Sequence, residues 1–196
     1  MSSHHFVKEG QEPPVFILER IPYQHVVPLL EWVPLVMVVD RVLEDVLQWR
    51  IKIDVVFQYA YDLNQVEEMV KDQFPLQIFS CEKDNLIAEG LEFLTQNKFT
   101  SVNFISSQPE EIFQFVEKLD PPLQVGIYGD KEKWSWVAAG KFEKWMPEGS
   151  NVLIKHAPSS RVQMEGVFQA RRDWKTRSAG MVRILMNTPF WIGEPL

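Results

Sequence analysis

The chain is 196 residues long, 45% hydrophobic, 24% charged and 12% aromatic, the make-up of one large globular domain or two small ones and not of a disordered, collagenous or coiled-coil chain. Its formal net charge of −7 repels polyanions, so neither nucleic acid nor an anionic membrane surface is an expected partner. A single cysteine, Cys81, and four histidines exclude an intrachain disulfide and a spaced zinc cluster, which suits a reducing cytoplasm.

Residues 1–14 are a polar opening in which His4, His5, Lys8, Glu9 and Glu12 leave no apolar stretch behind a basic head; no secretory signal is expected there. The longest apolar run, residues 33–39, includes Pro34 and falls far short of the roughly twenty residues of a spanning helix. No transmembrane segment is expected.

Short, almost wholly apolar, β-branched runs at residues 15–18, 35–39, 53–57, 76–79, 102–105 and 123–127 predict strands buried on both faces, as in a parallel sheet. Helical patterns lie between them. Val42, Leu43, Val46, Leu47 and Trp49 share one side of residues 41–49; Val66, Met69 and Val70 do so in residues 64–73. Residues 85–96 align Leu86, Ile87, Gly90, Leu91 and Leu94 behind an Asp84 or Asn85 cap. Residues 109–119 open Pro-Glu-Glu and repeat Ile112, Phe115, Val116 and Leu119, until Pro121-Pro122 ends the pattern. This βα alternation predicts a doubly wound, mostly parallel α/β domain over residues 15–130.

After Gly129 the period changes. Stretches at 134–138, 141–145, 152–154, 164–168, 181–186 and 190–192 are separated by turns rich in Gly, Pro and Ser. They predict a small antiparallel β-sandwich over residues 131–196.

An open α/β sheet binds ligands beyond the carboxyl ends of its strands, where this chain carries Glu19 and Arg20, Asp40, residues 58–62, residues 80–85 and residues 106–111. None of these turns is a glycine-rich phosphate loop. Asp40, Asp54, Asp62, Glu82 and Asp84 could converge on magnesium through oxygen ligands; equally, Asp62 and Asp84 could cap helices while Asp40 and Asp54 sit in turns. Cys81, between a strand and a helix, has no partner histidine and reads as a half-buried small residue. Trp134, Trp136, Trp145, Trp174 and Trp191 could stack on a planar ligand or build a core or an interface. Arg171, Arg172, Lys175 and Arg177 around Trp174 could meet a phosphate or an acidic partner, or form a solvated hairpin.

With these residues in view, the chain resembles the thiamin pyrophosphokinases. The resemblance is co-linear and is carried by Leu30-Glu31-Trp32-Val33-Pro34-Leu35-Val36 through Asp40, Ile51-Lys52-Ile53-Asp54-Val55-Val56, Gly90-Leu91-Glu92-Phe93-Leu94, Ser101-Val102-Asn103-Phe104-Ile105 and Lys141-Phe142-Glu143-Lys144-Trp145-Met146-Pro147. It implies a nucleotide-binding-like domain over 15–130, a thiamin-binding-like domain over 131–196 and a homodimer. Such kinases pass a pyrophosphoryl group from ATP to the hydroxyethyl group of thiamin with magnesium, a reaction that needs metal-binding acids and phosphate-positioning donors.

The family's motifs are replaced here. Its Gly-Asp-Phe-Asp aligns with Gln58-Tyr59-Ala60-Tyr61, two phenols where metal-binding acids belong, and its Asp-Lys-Thr-Asp aligns with Lys83-Asp84-Asn85-Leu86. Gly-Arg-x-Asp-His gives way to Ser107-Gln108-Pro109-Glu110-Glu111, and Gly-Ser-Ser-Asn to Arg177-Ser178-Ala179-Gly180. The resemblance, so altered, implies a cytoplasmic protein of this fold without the pyrophosphokinase reaction, keeping a role in binding or association, as a homodimer, with thiamin or a nucleotide as a candidate ligand. Trp174 and Ser178 are the candidate thiamin contacts. No cofactor is expected; magnesium and ATP belong to the alternative, an active kinase using Asp40, Asp54, Asp62 and Asp84.

Overall fold

The computed structural model describes residues 12–170 and 173–196. The polar opening up to residue 11, and Arg171 and Arg172 of the basic run, lie outside the described residues. The chain forms two compact units: one takes the residues up to Leu123 with Tyr128–Asp130, the other Gln124–Ile127 with Lys131–Leu196.

In the first unit five strands run parallel: β1 (Val15–Ile17), β2 (Val36–Val39), β3 (Val55–Gln58), β4 (Gln77–Ser80) and β5 (Ser101–Ile105). Their order is β5-β1-β2-β3-β4. The crossovers carry α1 (Tyr23–Leu30), α2 (Leu43–Leu47), α3 (Leu63–Met69) and α4 (Leu86–Gln96), and α5 (Pro109–Leu119) follows β5. The chain steps outward from β1 to β4 and then returns to place β5 on the other side of β1. Between β1 and β5 the winding reverses, and such a reversal opens a crevice at the carboxyl ends of the two strands.

The apolar runs form this sheet because both faces are covered. Val15, Phe16, Ile17, Met37, Val38, Val39 and Val56 are fully buried, and the Phe16 ring centroid lies 5.1 Å from that of Phe57 and 5.6 Å from that of Phe104. Such pairs add to plain burial. α4 turns its expected stripe inward, with Leu86, Ile87, Gly90, Leu91 and Leu94 all buried. α5 begins with Pro109 in its first turn beside Glu110 and Glu111, and ends at Asp120 in a left-handed conformation, φ 42°, so the helix stops before Pro121 is reached.

Two expectations are corrected in this unit. β4 is exposed at Gln77, Phe79 and Ser80 because it is the edge strand, with β3 as its neighbour in the sheet order; an apolar run does not reveal its place in a sheet. Helix α1 was not expected, since Pro28 lies inside it and no side chain caps its start. It is held by the burial of Val26, a tertiary contact that outweighs weak local propensity.

The second unit is antiparallel. Its strands are β6 (Gln124–Tyr128, of which Gln124–Ile127 belong here), β7 (Glu132–Val137), β8 (Lys141–Met146), β9 (Asn151–His156), β10 (Val162–Glu165), β11 (Val167–Ala170), β12 (Asp173–Thr176), β13 (Gly180–Met186) and β14 (Phe190–Pro195). They lie in the orders β11-β12-β9-β14-β7-β6 and β10-β13-β8. Met146, Val182, Ile184 and Met186 from the smaller sheet meet Val152, Phe190 and Ile192 from the larger in one core, the sandwich that the sequence implies.

The stretch expected at 164–168 is two strands, split at Gly166. Its φ is +82°, and a Cβ there would stand 2.7 Å from the Met181 carbonyl oxygen, so only glycine makes this bend. β12, which the alternation of residues 173–176 does not announce, pairs with β11 and β9.

Candidate functional site

A cleft of about 400 Å³ lies at the carboxyl ends of the parallel strands. Leu18 and Glu19 reach it from β1, Arg41 from the turn after β2, Tyr59 from β3, Lys83 and Asp84 from the turn before α4, and Ser106 and Gln108 from β5. It thus occupies the crevice of the winding reversal. A larger cavity, about 550 Å³, is lined by Asp54, Pro75 and Phe93 among others at the amino ends of β2, β3 and β4, the end that open α/β sheets do not use for ligands.

Asp40 holds the loop from which Tyr59 enters the cleft. Its side chain is fully buried, and Oδ2 accepts hydrogen bonds from three consecutive backbone amides, Tyr59 at 2.9 Å, Ala60 at 2.7 Å and Tyr61 at 2.8 Å. The other oxygen, Oδ1, is buried without a hydrogen-bond partner. Backbone amides converging in this way form a nest suited to an anion. Here the chain's own carboxylate fills it.

An ion pair spans the reversal point. Glu19 Oε1 lies 3.0 Å from Arg41 Nη2, which also donates to the Leu18 carbonyl at 3.2 Å. Glu19 Oε2 accepts from the Ser107 hydroxyl at 2.6 Å and lies 3.5 Å from that of Ser106. The Ser106 oxygen in turn accepts from the Gln108 amide, which starts the chain into α5. Glu19, Ser106 and Ser107 stand out in the sequence by their places after β1 and β5; Arg41 does not. Opposite charges at the carboxyl ends of neighbouring strands are the signal that could have found the pair.

The sequence-derived acids fall in different places. Asp54 stands at the amino end of β3, where its side chain accepts from the Val36 amide at 2.9 Å; the four residues of β3 separate it from the cleft edge by roughly 13 Å. Asp62 caps α3, accepting from the Gln65 amide while Gln65 accepts from its own amide, a reciprocal capping box. Asp84 lines the cleft from an exposed turn. These three and Asp40 are not grouped as a metal site. Among the described residues no three His, Cys, Asp or Glu side chains are grouped so as to hold a metal ion.

Tyr59 is half-buried, and burial pushes its phenol above the ordinary value, with Arg41 pulling down against Asp40, Cys81 and Glu19. It stays a neutral hydroxyl where the family pattern has a carboxylate. Tyr61 points its amide at Asp40 and its carbonyl accepts from the Gln58 side chain. Cys81 is half-buried as expected, and burial, followed by Glu89 and Asp40, raises its thiol to about 11. A thiol held so far above neutrality is inert.

In the second unit Trp174 is partly buried and packs against the sandwich core, in register with Val152 and Gln169. Ser178 is exposed beyond the end of β12. Arg177 places its guanidinium carbon 5.7 Å from the Phe168 ring centre, a cation–π contact within the β11–β12 ribbon.

Solved structures show what this architecture is similar to. Thiamin pyrophosphokinase from Candida albicans superposes with a TM-score of 0.71 at 6% sequence identity, over 94% of this chain and 89% of that one. The enzyme from Geobacillus thermodenitrificans gives 0.68 at 13% identity, over 93% and 97%. That from Bacillus subtilis gives 0.67 at 7%, over 93% and 98%. No protein-family model matches the sequence, and no curated relative does. The chain therefore has the fold of the thiamin pyrophosphokinases. No helix among the described residues is long and apolar enough to cross a membrane.

Proposed function

We propose that this chain is a thiamin pyrophosphokinase-like protein that has given up pyrophosphoryl transfer and keeps a binding and association role in the cytoplasm. The observation that carries this reading is the commitment of Asp40. Pyrophosphoryl transfer works by charge neutralisation and alignment, so it needs free carboxylates to hold magnesium against the triphosphate. The acid at the carboxyl end of β2 instead spends one oxygen on the amides of Tyr59, Ala60 and Tyr61. Its other oxygen faces no polar partner.

The surrounding residues support the same reading. Tyr59 and Tyr61 cannot supply the negative oxygens that magnesium prefers, and Asp54 lies at the wrong end of its strand. The residues present do not fit a magnesium–nucleotide centre. The test is product formation from ATP, thiamin and magnesium with protein in excess, where no thiamin diphosphate is expected.

For association, the outer face of the β10-β13-β8 sheet is the surface that supports a homodimer. Trp145 is 60% exposed there and Met181 48% exposed, directly opposite one another in the β8–β13 register. Exposed tryptophan beside methionine is the composition of an interface centre more than of a solvated sheet.

A further inference from the structure

We propose that the Glu19–Arg41 pair makes the cleft a site for uncharged, ring-bearing ligands of nucleoside type and closes it to their phosphorylated forms. The inference rests on the reading above, that the cleft binds without catalysing, and goes on to name what it admits.

An anion entering an open α/β sheet is met at the reversal point by donors from the ends of the flanking strands. In this chain those donors are already engaged. The Arg41 guanidinium and the Ser107 hydroxyl both bond the Glu19 carboxylate, with Ser106 beside it. Glu19 is the more enclosed partner, its side chain 16% exposed against 46% for Arg41, so the negative charge is the fixed one of the pair. A phosphate group at this point would stand within a few ångströms of that charge and would have to strip Arg41 and Ser107 from it. Unpaired like charge set against one class of ligand is how a site acquires selectivity.

The backbone at these turns is no better placed to hold phosphate. The turns after β1, β3 and β5 contain no glycine over residues 18–22, 58–62 and 106–109, and the nest of consecutive amides after β3 is filled by Asp40. The rest of the lining joins an apolar patch of Leu86, Ile87, Ile112 and Phe115 to neutral hydrogen-bonding groups, Gln108 and the Tyr59 phenol. A further cation, Lys83, also lines the cleft, but the carboxylates of Glu19, Asp84 and Glu111 outnumber it and Arg41, so the charge there remains against a phosphate. A cleft of about 400 Å³ is within the usual range for small-molecule sites, about 300–1,000 Å³. An apolar patch joined to a few neutral hydrogen-bonding groups fits a flat heterocycle carrying hydroxyls.

The test is titration of the full chain, in metal-free buffer of low ionic strength, with adenosine and uridine and with their 5′-monophosphates, followed by amide resonances of Tyr59, Ser106 and Gln108. The expected result is that a nucleoside moves these resonances and its monophosphate binds about tenfold more weakly, the order expected for one to two unit charges near contact distance in water-like surroundings. Glu19→Gln is expected to leave nucleoside affinity in place and to erase that difference. Should Glu19→Gln fail to fold, Arg41→Gln serves instead, and it is expected to keep the preference for the nucleoside. The proposal is overturned if neither nucleoside binds, if the monophosphate binds as tightly as the nucleoside to the parent chain, if Glu19→Gln leaves the ratio unchanged, or if Arg41→Gln removes the preference. Binding of nucleotide as tightly as nucleoside, without turnover, overturns this inference alone, whereas thiamin diphosphate formed from ATP and thiamin overturns the reading on which it rests.

Discussion

Replacing Asp40 tests whether the acid at the carboxyl end of β2 is a framework element. Its Oδ2 holds three consecutive amides at 2.7–2.9 Å, and a hydrogen bond to a charged acceptor contributes about 1.5–3 kcal/mol. The three share one oxygen, and Ala60 lies at an exposed position where its amide regains water once released. Asp40→Ala is therefore expected to cost about 3–5 kcal/mol, less than the simple sum. Asp40→Asn keeps a carbonyl oxygen for the nest but loses the charge and sets a buried N–H donor where Oδ1 had no partner, for an expected cost of about 1–2 kcal/mol. Urea unfolding followed by circular dichroism measures both. Amide resonances of Tyr59, Ala60 and Tyr61 report whether the loss is local, and all three are expected to move upfield in Asp40→Ala. If Asp40→Ala unfolds within about 1 kcal/mol of the parent, or is more stable than Asp40→Asn, the carboxylate is not holding the loop and the argument for its commitment fails.

Three further outcomes follow from the geometry. Gly90→Ala is expected to destabilise by about 1–3 kcal/mol, because its Cβ would be driven into the Phe16 ring and overpacking outweighs the better helix propensity of alanine; a stabilised variant would show that the ring can yield. Cys81, with its thiol raised to about 11, carries about a hundredfold less thiolate at pH 8 than an ordinary cysteine, and the greater nucleophilicity of that thiolate recovers part of it. Alkylation of the folded chain is therefore expected to run roughly tenfold slower than in urea and to climb as pH rises toward 11, and equal rates would contradict the burial that raises it. Light scattering at micromolar concentration is expected to give twice the chain mass, falling to a monomer in Trp145→Glu; a monomeric parent removes the sheet face from the account.

How far the amino-acid sequence reveals this molecule differs between its frame and its cleft. The parallel strands are legible because both faces are buried, so runs such as Val36-Met37-Val38-Val39 carry no polar residue. The sandwich is legible through alternation, clearest in β13, where Val182, Ile184 and Met186 point inward and Met181, Arg183 and Leu185 outward. α1 is not, because Pro28 argues against it locally and the burial of Val26 is a tertiary matter. The break at Gly166 is visible only once the close approach of the Met181 carbonyl is known.

In the cleft, residue types were readable and their partners were not. Asp62 is a cap, as its sequence suggests, because capping is decided by neighbours three residues away; Asp84, of which the same is expected, lies inside the short 3₁₀ turn before α4, and neither it nor Asn85 caps that helix with its side chain. Asp40 could be a metal ligand, a turn residue or, as found, an acceptor for amides 19 to 21 positions distant. Backbone amides leave no mark on the sequence. Glu19 and Arg41 are 22 positions apart and meet only because β1 and β2 are neighbours, so their pairing waits on the sheet order. The replacement of family acids by Tyr59 and Tyr61 was plain from the resemblance alone; what fills the space they leave required the fold.

The account turns on whether any pyrophosphoryl transfer survives. Single turnover with protein in excess over radiolabelled ATP, together with thiamin and magnesium and against a protein-free control, measures AMP and thiamin diphosphate directly. The account predicts neither product above the control over hours. Stoichiometric formation of both would show that acids other than Asp40 assemble a working metal centre, and it would contradict the loss of the reaction outright.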